Sequence, residues 1–169
     1  MHDAQRGHAL PDPTRSNIFI DSCAFDPKHE PETAAANKIR ALEDAGRLRL
    51  IIAHSTVKEL EHPNVPQKIK QDAVARIRSL QVELTAGEDQ QKRRILEILA
   101  GNGKPENMVQ DADHVFEAQK YGGGYFLTVD KGILRKAPDI HALCGVNVMT
   151  PSSFLAELGE TLDGTEGRG

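Results

Sequence analysis

Tryptophan is absent from this chain of 169 residues, and aromatic residues make up only 4% of it. Its core must therefore be mostly aliphatic. No apolar run approaches the roughly 18 residues that a membrane helix needs, and no basic-then-apolar leader opens the chain. No membrane partner and a cytoplasmic location are therefore expected. Cysteine is scarce as well. Cys23 and Cys144 stand far apart in no metal-ligand spacing, which suits packing roles and a reducing compartment. The seven histidines, among them His54, His62 and His114, form no His-x-His or His-Glu-x-x-His pattern, which speaks against a zinc site. A surplus of positive charge is also missing. The net charge of -4 argues against nonspecific coating of nucleic acid, although not against local binding.

What is present describes one soluble domain: 38% hydrophobic and 27% charged residues in a chain long enough for a real core. Basic residues gather in three places, at Lys68, Lys70, Arg76 and Arg78, at Lys92, Arg93 and Arg94, and at Lys131, Arg135 and Lys136. Solvated helix faces and helix ends account for such clusters.

Residues 1 to 15, rich in proline and polar side chains, read as a flexible arm; residues 16 to 159 read as the domain, and 160 to 169 as a disordered tail. A first strand is expected over Asn17 to Asp21, broken by the turn at Phe25-Asp26-Pro27-Lys28. A helix over Glu32 to Ala45 and a second strand over Leu48 to Ala53 complete a βαβ unit, which implies parallel pairing. Thr56 to His62 reads as a short helix ended by Pro63. From Pro66 to Ala100 the apolar spacing is helical, and Gly87 is the expected corner of a helical hairpin. Asn107, with Gln110 as reciprocal partner, should cap a helix reaching Tyr121. Tyr125 to Val129 reads as a third strand ending in Asp130. A final strand over Val146 to Met149 and a helix over Pro151 to Leu158 close the domain.

Asp21 and Asp130 each follow an apolar strand directly. In an open parallel sheet the carboxyl ends of the strands share one edge, where ligands bind, so the two acids should be neighbours. Glu59 follows the second strand, and Thr56-Val57-Lys58-Glu59 also has the form of a capping box. Asp111 and Asp113 lie early in the next helix, about 200° apart at about 100° per residue, and cannot easily serve one site together. Glu117 shares the face of Asp113. Gathered carboxylates repel one another, and a hard divalent cation such as Mg²⁺ or Mn²⁺ removes the conflict while activating water against a phosphodiester.

Four segments in this order resemble the acidic motifs of PIN domains: Phe-Ile-Asp21-Ser, Ser55-Thr-Val-Lys-Glu59-Leu, Asp113-His-Val-Phe-Glu-Ala and Phe-Leu-Thr128-Val-Asp130-Lys. The resemblance spans about residues 17 to 158. It implies a three-layer α/β/α fold with a central, mainly parallel sheet of four to five strands and a helical hairpin insertion. It further implies a metal-dependent endoribonuclease, of the kind that often serves as the toxin of a toxin-antitoxin pair. Carried over by position, Asp21, Glu59, Asp113 and Asp130 form the catalytic acidic set, with Asp21, Asp113 and Asp130 on Mg²⁺ or Mn²⁺. Asp113 is preferred to Asp111 because the family's acid precedes an apolar helix residue by three, here Phe116. Thr128 and Ser22 would orient a carboxylate or water, and Lys131 would touch a phosphate of the substrate RNA. A homodimer and an antitoxin protein are the expected partners. A PIN-fold module that binds RNA or protein without cutting is the alternative. A phosphotransfer domain is weaker, since no Gly-rich phosphate loop follows a strand.

Overall fold

Short aliphatic runs become the strands β1 (Asn17–Ile20), β2 (Arg49–Ile51), β3 (Gly123–Leu127) and β4 (Asn147–Met149). The structure, a computed structural model, describes residues 11–52, 66–74, 84–121 and 123–166. Among the described residues the sheet has four strands in the order β2-β1-β3-β4, and every neighbouring pair is parallel. Phe19 lies opposite Ile51 on one side and Phe126 on the other. An interior parallel strand is covered on both faces, which is why these runs are continuously apolar instead of alternating with polar residues.

Successive strand residues feed two separate cores. Ile18, Ile20, Leu50, Tyr125 and Leu127 pack with Phe25, Ile39, Phe154 and Leu158 on one face. Phe19, Ile51, Phe126 and Val148 pack with Ile95, Leu99, Val115, Phe116 and Ile140 on the other. Ile18, Phe19 and Ile20 are at most 1% exposed, and burial of side chains of this size stabilises by about 1.5–3 kcal/mol each. The helices that supply these partners lie on both faces of the sheet: α1 (Ser22–Phe25), α2 (Glu32–Asp44), α3 (Gln67–Val74), α4 (Ala86–Ala100), α5 (Val109–Lys120), α6 (Lys131–Leu134), α7 (Ala137–Cys144) and α8 (Pro151–Glu166). The fold class is therefore α/β with an all-parallel sheet. No helix among the described residues is long and apolar enough to cross a membrane.

Several local expectations are corrected. The chain does not pass straight from β1 into a turn: Asp21 caps α1 first. Gly87 is no corner, because it lies inside the first turn of α4, where Thr85 and Glu88 exchange capping-box hydrogen bonds of 3.0 and 3.1 Å. Asn107 does not cap α5; it ends a short 3-10 turn, Pro105–Asn107, and Met108 takes the cap position without a side-chain bond. The third strand starts and stops two residues early, which leaves Thr128 and Val129 beyond its end. Helices α6 and α7, not anticipated from the sequence, fill the connection between Asp130 and β4. Helix α8 continues past Gly159 to Glu166, where a tail was expected. In the arm, Pro13–Arg15 form a 3-10 turn capped by Asp12, and the Tyr125 hydroxyl donates to the Pro11 carbonyl. The expected short helix over Thr56 to His62, with Glu59, lies outside the described residues, as does 75–83 of the expected hairpin.

Candidate active site

The strand order places β2 on one side of β1 and β3 with β4 on the other. The winding therefore reverses between β1 and β3, and in open parallel sheets the crevice outside the carboxyl ends at such a reversal is the ligand site. Asp21 leaves β1 at this point. Its N–H donates to the Leu127 carbonyl at 2.9 Å, which extends the β1/β3 ladder by one bond before α1 begins. The residue is 5% exposed, and a carboxylate so deeply placed needs donors. Oδ1 accepts the Ser22 N–H at 2.9 Å, and Oδ2 accepts the Thr128 hydroxyl at 3.0 Å and the Cys23 thiol at 3.4 Å.

Thr128 joins the two acids. Fully buried just past β3, it donates its N–H to the Met149 carbonyl at 3.0 Å, which fixes it against β4. Its hydroxyl gives its proton to Asp21 and accepts the Asp130 N–H at 3.1 Å. Asp130 is exposed and caps α6, with Oδ1 accepting from the N–H groups of Gly132 at 2.8 Å and Ile133 at 3.2 Å. One acid is thus enclosed and the other faces solvent, with a single hydroxyl between them. Ser22 lies at the start of α1 beside Asp21, and Lys131, exposed, opens α6 beside Asp130.

On helix α5, Asp113 has a partner of its own. Asp113 is ion-paired with Lys92 of α4, on the side where a small pocket of about 100 Å³ opens between Lys92, Leu96, Val109 and Ala112. The residue that α5 does bring to Asp21 is His114, which is 0% exposed, with Nδ1 3.5 Å from Asp21 Oδ1. Asp111 precedes His114 by three and so shares its face of the helix, whereas Asp113 is turned about 100° away. His114 carries a signal that the sequence offered, a polar ring within the apolar stripe of Ala112, Val115 and Phe116. Metal-spacing patterns do not detect it, because its partner is on a distant strand.

Burial, and then the charge of Asp21, push the Cys23 thiol up to about 12. A thiol held in that state is a poor nucleophile at neutral pH, so the Cys23, His114 and Asp21 grouping does not suit covalent thiol chemistry. The oxygens of Asp21 and Asp130 are hard donors, and Mg²⁺ is commonly held by one or two carboxylates together with waters and substrate phosphates. That donor set fits such an ion, although no cluster of three or more metal-binding side chains occurs among the described residues. No family model, curated protein or solved structure matches this chain.

Proposed function

We propose that this chain is a PIN-like, Mg²⁺- or Mn²⁺-dependent endoribonuclease that hydrolyses RNA phosphodiester bonds. The observation that carries the reading is the convergence of Asp21 and Asp130, joined through Thr128, at the point where the sheet reverses its winding. A divalent ion held there supplies a Lewis acid and an activated water. Asp21 and Asp130 would hold it, Glu59 would add a further carboxylate, and Asp111 takes the place of Asp113 as the acid from α5, because it stands on the His114 face. Thr128 keeps Asp21 and the backbone of Asp130 in register, and Lys131 meets a phosphate. The toxin role, with an antitoxin segment over this edge and a homodimer, belongs to the same reading; a monomer by light scattering at micromolar concentration would remove the dimer. The test is cleavage of single-stranded RNA with Mn²⁺ or Mg²⁺ by the natural chain and by Asp21→Asn. Equal rates in the two overturn it.

One observation favours the alternative of a PIN-fold module that binds RNA or protein without cutting. Both oxygens of Asp21 already accept protein donors, and Asp130 already caps a helix. Calorimetric titration with Mn²⁺ separates the readings: no binding at millimolar metal favours the module.

A further inference from the structure

His114 occupies a position where an apolar residue would pack at no polar cost. Its helical neighbours Ala112, Val115, Phe116 and Ala118 are all buried in the core under the sheet, and its ring is 0% exposed. Placing an imidazole there costs desolvation of two ring nitrogens. The compensation visible in the structure is Asp21, whose Oδ1 lies 3.5 Å from Nδ1. A lone pair on Nδ1 would repel the carboxylate oxygen, whereas a proton there would favour the approach. Asp21 accepts hydrogen bonds from the Ser22 N–H, the Thr128 hydroxyl and the Cys23 thiol, and the His114 ring faces it from α5 at 3.5 Å, in contact but outside hydrogen-bond geometry. Thr128 and His114 come from segments that pack on β1 only through tertiary structure. Rotation of the carboxylate is therefore opposed by the whole assembly of sheet and helix.

We propose that His114 is a positioning residue that fixes the orientation of the Asp21 carboxylate through its Nδ1–H, so that the acid is ready for a divalent cation without rearrangement. The effect on the cation rests on the nuclease reading above; the pairing itself does not. Groups that orient a metal-binding carboxylate typically change metal affinity or activity by about 10–100-fold when removed.

The test uses the full chain and three variants. Asparagine places an amide donor near the position of Nδ1, glutamine places it near Nε2, and leucine fills the space without a donor. For His114→Leu, Mn²⁺ affinity by calorimetry should fall about 10–100-fold with the circular dichroism unchanged. His114→Asn should recover most of that loss and His114→Gln should not. Independently of metal, ¹⁵N NMR of the natural chain should show a proton on Nδ1 of His114, and its resonance should shift in Asp21→Asn as the charged acceptor is lost. A proton on Nε2 alone, an unmoved resonance in Asp21→Asn, or equal Mn²⁺ affinity in the natural chain and both the asparagine and glutamine variants overturns the proposal. If the natural chain neither binds Mn²⁺ nor cuts RNA, the nuclease reading falls, and the NMR comparison alone decides the pairing. If leucine prevents folding, the contrast between asparagine and glutamine decides it.

Discussion

The Thr128 hydroxyl donates to Asp21 Oδ2 at 3.0 Å from a residue 107 positions away in sequence. The same oxygen accepts the Asp130 N–H at 3.1 Å, so one side chain serves an enclosed acid and the backbone of an exposed one. Thr128→Val keeps the shape and removes both bonds. It should destabilise the fold by about 1–3 kcal/mol, because a buried acceptor and a donor lose their partner. Thr128→Ser should retain most of the stability. Urea denaturation of the three proteins measures the difference, and a valine variant as stable as the natural chain would remove Thr128 from the account of the site.

Asp111 and Asp113 should separate by function. Asp113 pairs with Lys92 on a half-buried surface between α4 and α5, where an ion pair contributes about 0–1 kcal/mol. Asp113→Asn should therefore leave RNA cleavage near the natural rate and stability almost unchanged. Asp111→Asn should lower cleavage by at least the ~100-fold that orienting groups around a metal can command. The reverse ranking in a cleavage assay would restore the motif alignment that favours Asp113.

Cys23 should resist thiol reagents. Its pKa rises from an ordinary 9.0 to about 12, through burial first and the charge of Asp21 second, so the reactive thiolate is suppressed at pH 8. The same shift has a sign for stability. Between pH 9 and about 12 the unfolded thiol has lost its proton while the folded one keeps it, so the folded state binds more protons and loses stability as pH rises. The contribution is complete below pH 9 and gone above about 12. Tyr125, raised from 10.0 to about 12 by burial and then by Glu157 and Asp12, acts in the same direction. Labelling with a chromogenic disulfide at pH 8 in the native and unfolded states tests the first point. Denaturant midpoints at pH 8 and 10.5 test the second.

Glu32 should be a stability determinant through its bonds to Ser152. From the first turn of α2 its carboxylate accepts the Ser152 N–H at 2.8 Å and the Ser152 hydroxyl at 2.6 Å, capping the neighbouring α8 on the same face of the sheet. Bonds to a charged acceptor of this kind are worth about 1.5–3 kcal/mol in total effect, so Glu32→Ala should lower the midpoint of thermal unfolding by several degrees while RNA cleavage at low temperature persists. An unchanged midpoint would show that solvent replaces the cap without cost.

The strands and the two strand-end acids were legible because both rest on local pattern. A continuous aliphatic run ended by Asp21 or Asp130 is readable without knowing its neighbours. The sheet edge they share follows from parallel pairing. What escaped was set by tertiary contact or by competition between nearby caps. Gly87 looked like a corner, yet Thr85 and Glu88 form a stronger start signal two residues earlier. The four-residue helices α1 and α6 are too short to show a periodicity, and each exists because an aspartate caps it. His114 was legible as a histidine but not as a neighbour of Asp21, since the contact between them depends on α5 lying under the end of β1. Choosing between Asp111 and Asp113 needed the helix phase, and only the His114 contact supplies it.

The sheet order carries a consequence for biosynthesis. Strand β1 sits between β2 and β3, and β3 pairs with β4 at Asn147–Met149. A ribosome delivers Asp21 well before the Leu127 carbonyl and Thr128 hydroxyl that seat it, and the Met149 carbonyl that seats Thr128 comes later still. Contacts of such long range form late. The acidic edge therefore comes into being only after β4 has been made, and a chain that has emerged only as far as β2 carries Asp21 without the groups that seat it.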